Sequence, residues 1–225
     1  MRAESQKRKP AVGNEGATDG RAARSRATRA RIVAAATGLF TDHGYTATSI
    51  GAIAAAAGVG EQTVYYAFKT KKAVLAVALD QAVAGDDQPV PTLERSWAKA
   101  VIDEPDPRRQ LALQAAGAGD ILGRAAPLLD VVRSAAPTDP DLKRLWHTNL
   151  EQRLTVQRTF TEALVRKTAL RGGLTPSTAA DLALATLSPE TYTLLVTERH
   201  WPHEEWLAWA EHALASQLLP TGPAA

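Results

Sequence analysis

The chain lacks cysteine altogether, which excludes disulfide bonds and thiolate metal ligands and suits a reducing compartment. It also lacks a long apolar run, because no segment approaches the ~20 apolar residues that a membrane-spanning helix needs. The basic residues at the N-terminus are not followed by the apolar segment of a secretory signal. We therefore expect a cytoplasmic protein.

Catalytic and metal-binding motifs are missing as well. The sequence has no HExxH motif, no GxSxG motif and no phosphate-binding glycine loop. Three of the five histidines, His200, His203 and His212, lie near glutamates in the last predicted helix, but without the spacing that ligates a metal. Solvated side chains on a helix explain them better. We predict no catalytic residue, no metal and no cofactor.

The composition is that of a globular protein, since 45% of the 225 residues are apolar and 22% are charged. The net charge of +2 is unevenly divided, because residues 1–31 hold nine Lys or Arg against three Asp or Glu. Such a cationic segment is either a solvated tail or a surface that approaches a phosphate backbone.

Residues 46–68 predict two short helices joined by a tight turn. The first helix carries an apolar stripe at helical spacing after a Thr48 or Ser49 cap, formed by Ile50, Ile53, Ala54 and Ala57. Gly58 ends it, and in the second helix Val64 and Phe68 face inward. Two helices joined by a short glycine-containing turn are typical of the helix-turn-helix, whose second helix lies in the DNA major groove.

From Thr28 to Leu79 the sequence resembles the DNA-binding domain of the TetR family of transcriptional repressors. The resemblance rests on Phe40, Gly44, Tyr45, Thr48, Ile53, Ala54, Ala57, Gly58, Val59, Thr63, Val64, Tyr65, Phe68 and Lys71. It implies an all-α protein in which a three-helix DNA-binding domain precedes a larger helical domain for ligand binding and dimerisation. Glu61 and Ala67 depart from the family pattern, which more often has a basic residue and a histidine there, so the operator sequence is left open.

The resemblance places eight residues at the DNA: Thr48, Glu61, Gln62, Thr63, Tyr65, Tyr66, Lys71 and Lys72. Gln62 can bond to adenine, and the Thr63 methyl can contact a thymine methyl. Phosphate repels the acid Glu61, but Glu61 can accept from cytosine N4 and is favoured at a helix N-terminus, so both possibilities stay open. The remaining hydroxyl and ammonium groups can reach phosphates. Alternatively, Tyr65 is a half-buried spacer between helices and Lys71 is a solvated cation.

We predict three parts: a disordered basic arm at 1–22, the helix-turn-helix domain at 23–70 and a helical ligand-binding and dimerisation domain at 71–220. The arm has almost no large apolar residue to bury. In the second domain, the pattern predicts helices at 108–122 with a disruption at 117–119, at 127–135, at 139–171, at 175–197 with a kink at Pro189, and from 203 onward.

Polar residues fall on an apolar face of the long helix after Asp139, where Asn149 and Arg153 align with Trp146. Buried polar groups need partners. The partner is either a ligand, because TetR-like proteins keep an inducer cavity in this domain, or an internal hydrogen bond or solvent at the edge of the bundle. The predicted pocket residues are Gln114, Trp146, Asn149, Arg153 and Tyr192.

TetR-like proteins dimerise through their final helix pair, which implies a homodimer through 176–197 and 203–219. The alternative is that these apolar faces fill the chain's own core. The resemblance implies a sequence-specific regulator, a repressor released from a palindromic double-stranded DNA operator by a small-molecule inducer. Two other functions stay open: a dimeric DNA-binding regulator without a ligand, and a helical-bundle enzyme with a fused DNA reader.

Overall fold

The computed structural model describes residues 15–86, 88 and 90–220, and every regular element in these ranges is helical. The α-helices are α1 (Glu15–Ala47), α2 (Ile50–Ala57), α3 (Glu61–Phe68), α4 (Lys71–Ala84), α5 (Ser96–Asp103), α6 (Pro107–Ala135), α7 (Pro140–Val165), α8 (Pro176–Thr186), α9 (Pro189–Tyr192) and α10 (His203–Leu218). A 3₁₀ turn precedes α5, and a π-helical turn, Thr193–Glu198, follows α9. The predicted all-α class is confirmed. No helix in the described ranges is both long and apolar enough to cross a bilayer.

α1 begins at Glu15, earlier than the sequence pattern suggested. The prediction of a disordered arm over 1–22 is therefore wrong for residues 15–22, and residues 1–14 lie outside the described chain. Alanine and arginine propagate a helix at little cost once a packed turn, here the one at Ile32, holds it. At its other end, α1 is interrupted at Gly44 (φ 77°, ψ 173°).

A first core joins α1–α4 to α6. Its fully buried side chains include Ile32, Phe40, Ile53, Val64, Leu75 and Leu128. α4 packs on both sides, because its buried residues contact α1 and also Leu128 and Leu129 of α6. The domain boundary between residues 70 and 71 stays a prediction, since this core runs across it.

A second core is formed by α6, α8 and α10, with Leu111, Ala183, Trp206 and Leu214 fully buried. A smaller cluster lies between α5 and α7, where the Trp97 and Phe160 rings meet edge to face at 5.9 Å between centroids. Together, the two cores and this cluster hold α6 and α7 as the central pair of the second domain.

α6 is one continuous helix, so the predicted disruption at 117–119 and the separate helix at 127–135 are wrong. Gly117 and Gly119 lie inside it because neighbouring side chains occupy the space of a Cβ. A Cβ at Gly117 would stand 2.3 Å from the Trp97 ring, and one at Gly119 would stand 2.6 Å from Leu207. Pro127 also lies inside the helix. The two glycines allow close approach of other helices rather than ending this one.

Two other helix ends differ from prediction. α7 stops at Val165 rather than Arg171, because the chain turns away so that the Arg171 N–H donates to the Leu218 carbonyl at 2.8 Å. The predicted kink at Pro189 is a full break: α8 ends at Thr186, and the Ser188 hydroxyl caps α9 by accepting from the Thr191 N–H at 3.1 Å. Proline is well tolerated in the first turn, so Ser-Pro starts a new helix here.

We expect Gly117→Ala to destabilise the protein although alanine is the better helix former. The new methyl must displace the rigid Trp97 ring, and overpacking of this kind costs ~1–3 kcal/mol. Urea unfolding measures the free energy of unfolding. The control is Gly123→Ala on the same helix, whose Cβ would meet only the Tyr192 hydroxyl at 3.5 Å. It should be neutral or stabilising by up to ~1 kcal/mol, and equal effects of the two variants would contradict the packing argument.

Candidate DNA-binding surface and interior cavity

The helix-turn-helix is built from local signals that the sequence contains. Ser49 caps α2, its hydroxyl accepting from the Ala52 N–H at 3.0 Å. Gly58 closes the helix in the left-handed conformation (φ 63°, ψ 42°), which glycine adopts without strain. A three-residue turn follows, and α3 begins at Glu61 with Val64 and Phe68 buried, as predicted.

The opposite face of α3 is open. Gln62 and Thr63 are exposed, and Tyr65 and Tyr66 are 46% and 82% exposed. Glu61 is turned back toward α2, because a Cβ on Gly51 would lie 2.8 Å from its carboxylate oxygen. A negative charge beside the first turn of α2 is favoured by the helix dipole. The Glu61 carboxylate is therefore stabilised by the N-terminal end of α2.

Thr48 does not reach the surface, so the predicted phosphate contact is wrong for its side chain. It is 2% exposed, and its hydroxyl lies 3.0 Å from the Leu39 carbonyl and 2.8 Å from the Gly44 carbonyl, to which it donates. These bonds hold the end of α1 against the start of α2.

Lys71 is also engaged within the protein. Its ammonium donates to the carbonyls of Tyr45 and Thr48, both at 2.7 Å, and lies 4.2 Å from the centroid of the Tyr45 ring. Desolvation lowers the pKa of Lys71, and the Asp139 carboxylate opposes this shift. Two of its three N–H donors are thus used by the loop before α2, so Lys71 has a structural role, and its predicted phosphate contact stays a prediction.

Lys72 forms an ion pair with Asp141 of α7, which also accepts from Arg144. The side chain is still 42% exposed, and its predicted phosphate contact stays a prediction. The pair joins the start of α4 to the second domain, because Asp141 lies in the first turn of α7.

Two cations near α3, Arg29 and Lys69, are not among the DNA-binding residues that the sequence predicts. Arg29 of α1 donates to the Ala67 carbonyl at 2.8 Å, and its guanidinium lies 4.1 Å from the centroid of the Phe68 ring. Lys69 follows α3 with a positive φ of 66°, and its ammonium lies 5.5 Å from the Tyr66 ring centroid. The sequence shows the basic cluster around Arg29, but a contact across 38 residues leaves no local signal.

Residues 32–78, which cover the buried parts of α1, all of α2 and α3 and half of α4, match the family model of the bacterial regulatory proteins of the tetR family. The chain carries a TetR-family DNA-binding domain. This match supports a role as a DNA-binding regulator.

Solved structures share the TetR-like fold over nearly the whole chain. NalD of Pseudomonas aeruginosa, described as the secondary repressor of the MexAB-OprM multidrug efflux pump, is 22% identical, with 87% of this chain and 98% of that one covered and a TM-score of 0.66. A candidate TetR-family regulator of Mesorhizobium loti is 21% identical, with coverages of 86% and 96% and a TM-score of 0.67. The fatty acid degradation regulator FadR of Bacillus halodurans is 19% identical, with coverages of 83% and 93% and a TM-score of 0.65. Comparison with the curated proteins finds no match.

A cavity of approximately 1180 Å³ lies between the TetR-family domain and the second domain. One side is formed by α1 and α4, through residues such as Arg29, Val77 and Asp80. The other is formed by α5, α6 and α7, where apolar walls are supplied by Trp97, Ile121, Leu122, Val156 and Phe160. Ligand cavities commonly have volumes of about 300–1,000 Å³, so this one has room for a drug-sized molecule.

Three of the five predicted pocket residues, Gln114, Asn149 and Arg153, line this cavity. Trp146 and Tyr192 do not, which corrects the prediction for them. Trp146 packs against the first core. Tyr192 is buried in the second core, with its hydroxyl 3.0 Å from His203 Nδ1. Both aromatic rings are used in packing.

The prediction also missed Gln157, which lies one helical turn after Arg153 on α7. The Gln114 side-chain amide donates to the Gln157 side-chain oxygen at 2.6 Å. Gln157 lies at i+4 from Arg153 and i+8 from Asn149, and this helical spacing could have identified it. In the described part of the chain, no three potential metal-ligating side chains cluster.

We expect Lys71→Met to lower the free energy of unfolding by ~1–3 kcal/mol, since two partly buried carbonyls lose their donor. Urea unfolding followed by circular dichroism gives the value. The matched control is Lys69→Met, at an exposed position whose ammonium donates to no described backbone group, and its effect should stay within ~0.5 kcal/mol. A similar loss in both variants would show that Lys71 has no special structural role.

Proposed function

We propose that the chain is a sequence-specific transcriptional repressor that binds a palindromic double-stranded DNA operator as a homodimer in the cytoplasm and is released by a small-molecule inducer. The observation that carries the DNA-reading part is the outward face of α3. Tyr66 there is 82% exposed, more than any other large hydrophobic residue in the described chain. A large exposed aromatic ring beside Gln62 and Thr63 indicates a surface that a partner molecule covers.

In this proposal Gln62 and Thr63 read base edges, because both are exposed at the N-terminal end of α3, the end that enters the major groove. The Tyr65 and Tyr66 hydroxyls bind phosphates on either side. Lys69 supplies a further cationic contact beside Lys71 and Lys72, because its ammonium is held only over the Tyr66 ring. Glu61 mainly stabilises the start of α2.

The dimer is proposed to form through 176–197 and 203–219. Part of these helices fills the chain's own core, since Trp206 and Leu214 are fully buried. A second set of apolar side chains in the same segments is left partly open: Leu182, Leu195, Val196, Leu207 and Trp209. Leu194 is 49% exposed. Such a surface on adjacent helices suits a second copy of the chain.

Release by a ligand is supported by the way the cavity touches both halves of the protein. α4 contributes Val77 and Asp80 to the cavity wall, while its first residue, Lys71, binds the loop before α2. Arg29 lines the cavity from α1 and donates to the last turn of α3. A ligand that fits one arrangement of α1 and α4 better than another therefore changes the placement of α3. Such unequal binding is what allows a ligand to shift the equilibrium.

The DNA-reading proposal predicts distinct effects for two variants of α3 and its end. An operator selected in vitro from random duplexes, and a scrambled duplex, are titrated at several salt concentrations by fluorescence anisotropy. Gln62→Ala should lower operator affinity by ~1–3 kcal/mol and leave scrambled-duplex affinity unchanged. Lys69→Ala should weaken both and reduce the salt slope by about one.

The control for the charge change is Lys99→Ala, at an exposed position on α5 far from α3. It should leave both affinities and the slope unaltered. A flat salt response of the unmodified protein, or an equal loss on both duplexes with Gln62→Ala, would contradict the proposed readout.

We expect Leu194→Glu to convert the dimer to monomers, because a charge in an apolar interface loses its hydration without gaining a partner. Light scattering after size exclusion gives the mass, for which one chain is 24.0 kDa. Val90→Glu is the matched control, an exposed apolar residue outside the proposed interface at 37% exposure. A monomeric unmodified protein, or a Leu194→Glu protein that stays dimeric, would overturn this interface.

A further inference from the structure

Arg153 lines the cavity, and the hydrogen bonds of the protein satisfy only part of its guanidinium. Its Nε donates to Asn149 Oδ1 at 3.0 Å, and its guanidinium lies 5.4 Å from the Trp146 ring centroid. Its two terminal nitrogens have no hydrogen bond and no ion pair among the described residues. Among the fully buried side-chain nitrogen and oxygen atoms of the described chain, only the Trp206 indole nitrogen lacks a hydrogen-bond partner. Because the terminal nitrogens of Arg153 also lack a partner, they are not fully buried.

The surroundings of Arg153 are those of a binding site rather than of solvent. Desolvation lowers the pKa of its guanidinium, and Glu190, although too far away to form an ion pair, opposes this shift. Gln114 and Gln157, 2% and 7% exposed, line the same cavity and bond to each other, and this bond uses only one donor and one acceptor of the two side chains. Apolar side chains, among them Trp97 and Phe160, also line this part of the cavity.

The other charges of the cavity do not compete for this position. Arg95 and Asp86 neutralise each other through two hydrogen bonds at 2.8 and 3.0 Å. Asp80 lines the opposite wall, on α4, together with Arg26 and Arg29 on α1, and desolvation raises the pKa of Asp80. The walls formed by α6 and α7 therefore present one positive charge, four amide side chains and a large apolar surface.

We propose that the cavity binds an amphipathic monocarboxylate, with its carboxylate held by the terminal nitrogens of Arg153 and its apolar body along Trp97, Val156 and Phe160. A guanidinium matches a carboxylate with two parallel hydrogen bonds. A phosphate dianion would find only one cation on the α6 and α7 walls, and an amine would be repelled by it. This inference rests on the proposed function, because it names the ligand class of the same cavity.

The test uses three probes with one chain length and different head groups: dodecanoate, 1-dodecanol and dodecylamine, all below the concentration of micelle formation. Calorimetric titration of the full chain should show dodecanoate binding about tenfold or more tightly than either other probe. Equal binding of the three, tighter binding of the amine, or no binding at all would overturn the proposal.

Variants of Arg153 identify the group responsible. Arg153→Gln should remove the difference between dodecanoate and dodecanol, while Arg153→Lys should keep a reduced preference for the carboxylate. The matched control is Arg158→Gln, an exposed arginine on the same helix, which should behave as the unmodified protein. Thermal melts establish that each variant folds. If Arg153→Gln does not fold, the ranking of the three probes on the unmodified protein still decides.

Operator binding separates this inference from the proposed function. Dodecanoate that binds through Arg153 without lowering operator affinity supports the ligand class and contradicts release by this ligand. Dodecylamine or dodecanol that binds more tightly than dodecanoate and lowers operator affinity supports release and overturns the ligand class. Loss of operator affinity with dodecanoate, absent in Arg153→Gln, supports both.

Discussion

The DNA-binding helices are connected to the rest of the chain by the packing of the buried face of α4. Its residues Val74, Leu75, Ala78 and Leu79 share one core with α1 on one side and α6 on the other. Because protein interiors are closely packed, α4 cannot shift against one neighbour without repacking against the other. Its first residue, Lys71, holds the loop before α2, and its later turns line the cavity. α4 thus connects the helix-turn-helix with the cavity.

Polar side chains inside the second domain fall into two groups with different consequences. Both polar atoms of the Gln110 side chain have protein partners, since its amide nitrogen donates to the Phe160 carbonyl and its oxygen accepts from Lys167. Arg153 is only partly satisfied by Asn149. Burying a charge is costly unless it is paired, so an arginine in this position weakens the bundle by itself. Gln110 stabilises the contact between α6 and α7, whereas the free donors of Arg153 are explained by the proposed ligand.

Local patterns predicted most helix starts correctly but misjudged several helix interiors and ends. Ser49, Asp139 and Thr175 all cap the helices that their sequence context indicated, because a cap acts on a backbone N–H only two or three residues away. Gly117 and Gly119 looked like helix breakers. They are helical because Trp97 and Leu207, from other helices, need the space. A local reading cannot distinguish a glycine that ends a helix from one that admits a neighbour.

The sequence by itself determined the helical class, the helix-turn-helix and the outward direction of Gln62 and Thr63, because Val64 and Phe68 at helical spacing must share the buried face. Only the tertiary structure decided which polar groups are free. Lys71, Lys72 and Thr48 are bound to groups on other elements, and of the predicted pocket residues Gln114, Asn149 and Arg153 meet at one cavity while Trp146 and Tyr192 pack elsewhere. The reason is physical: helical periodicity sets the direction of a side chain about its own axis, but its partner depends on which distant helix packs against that face.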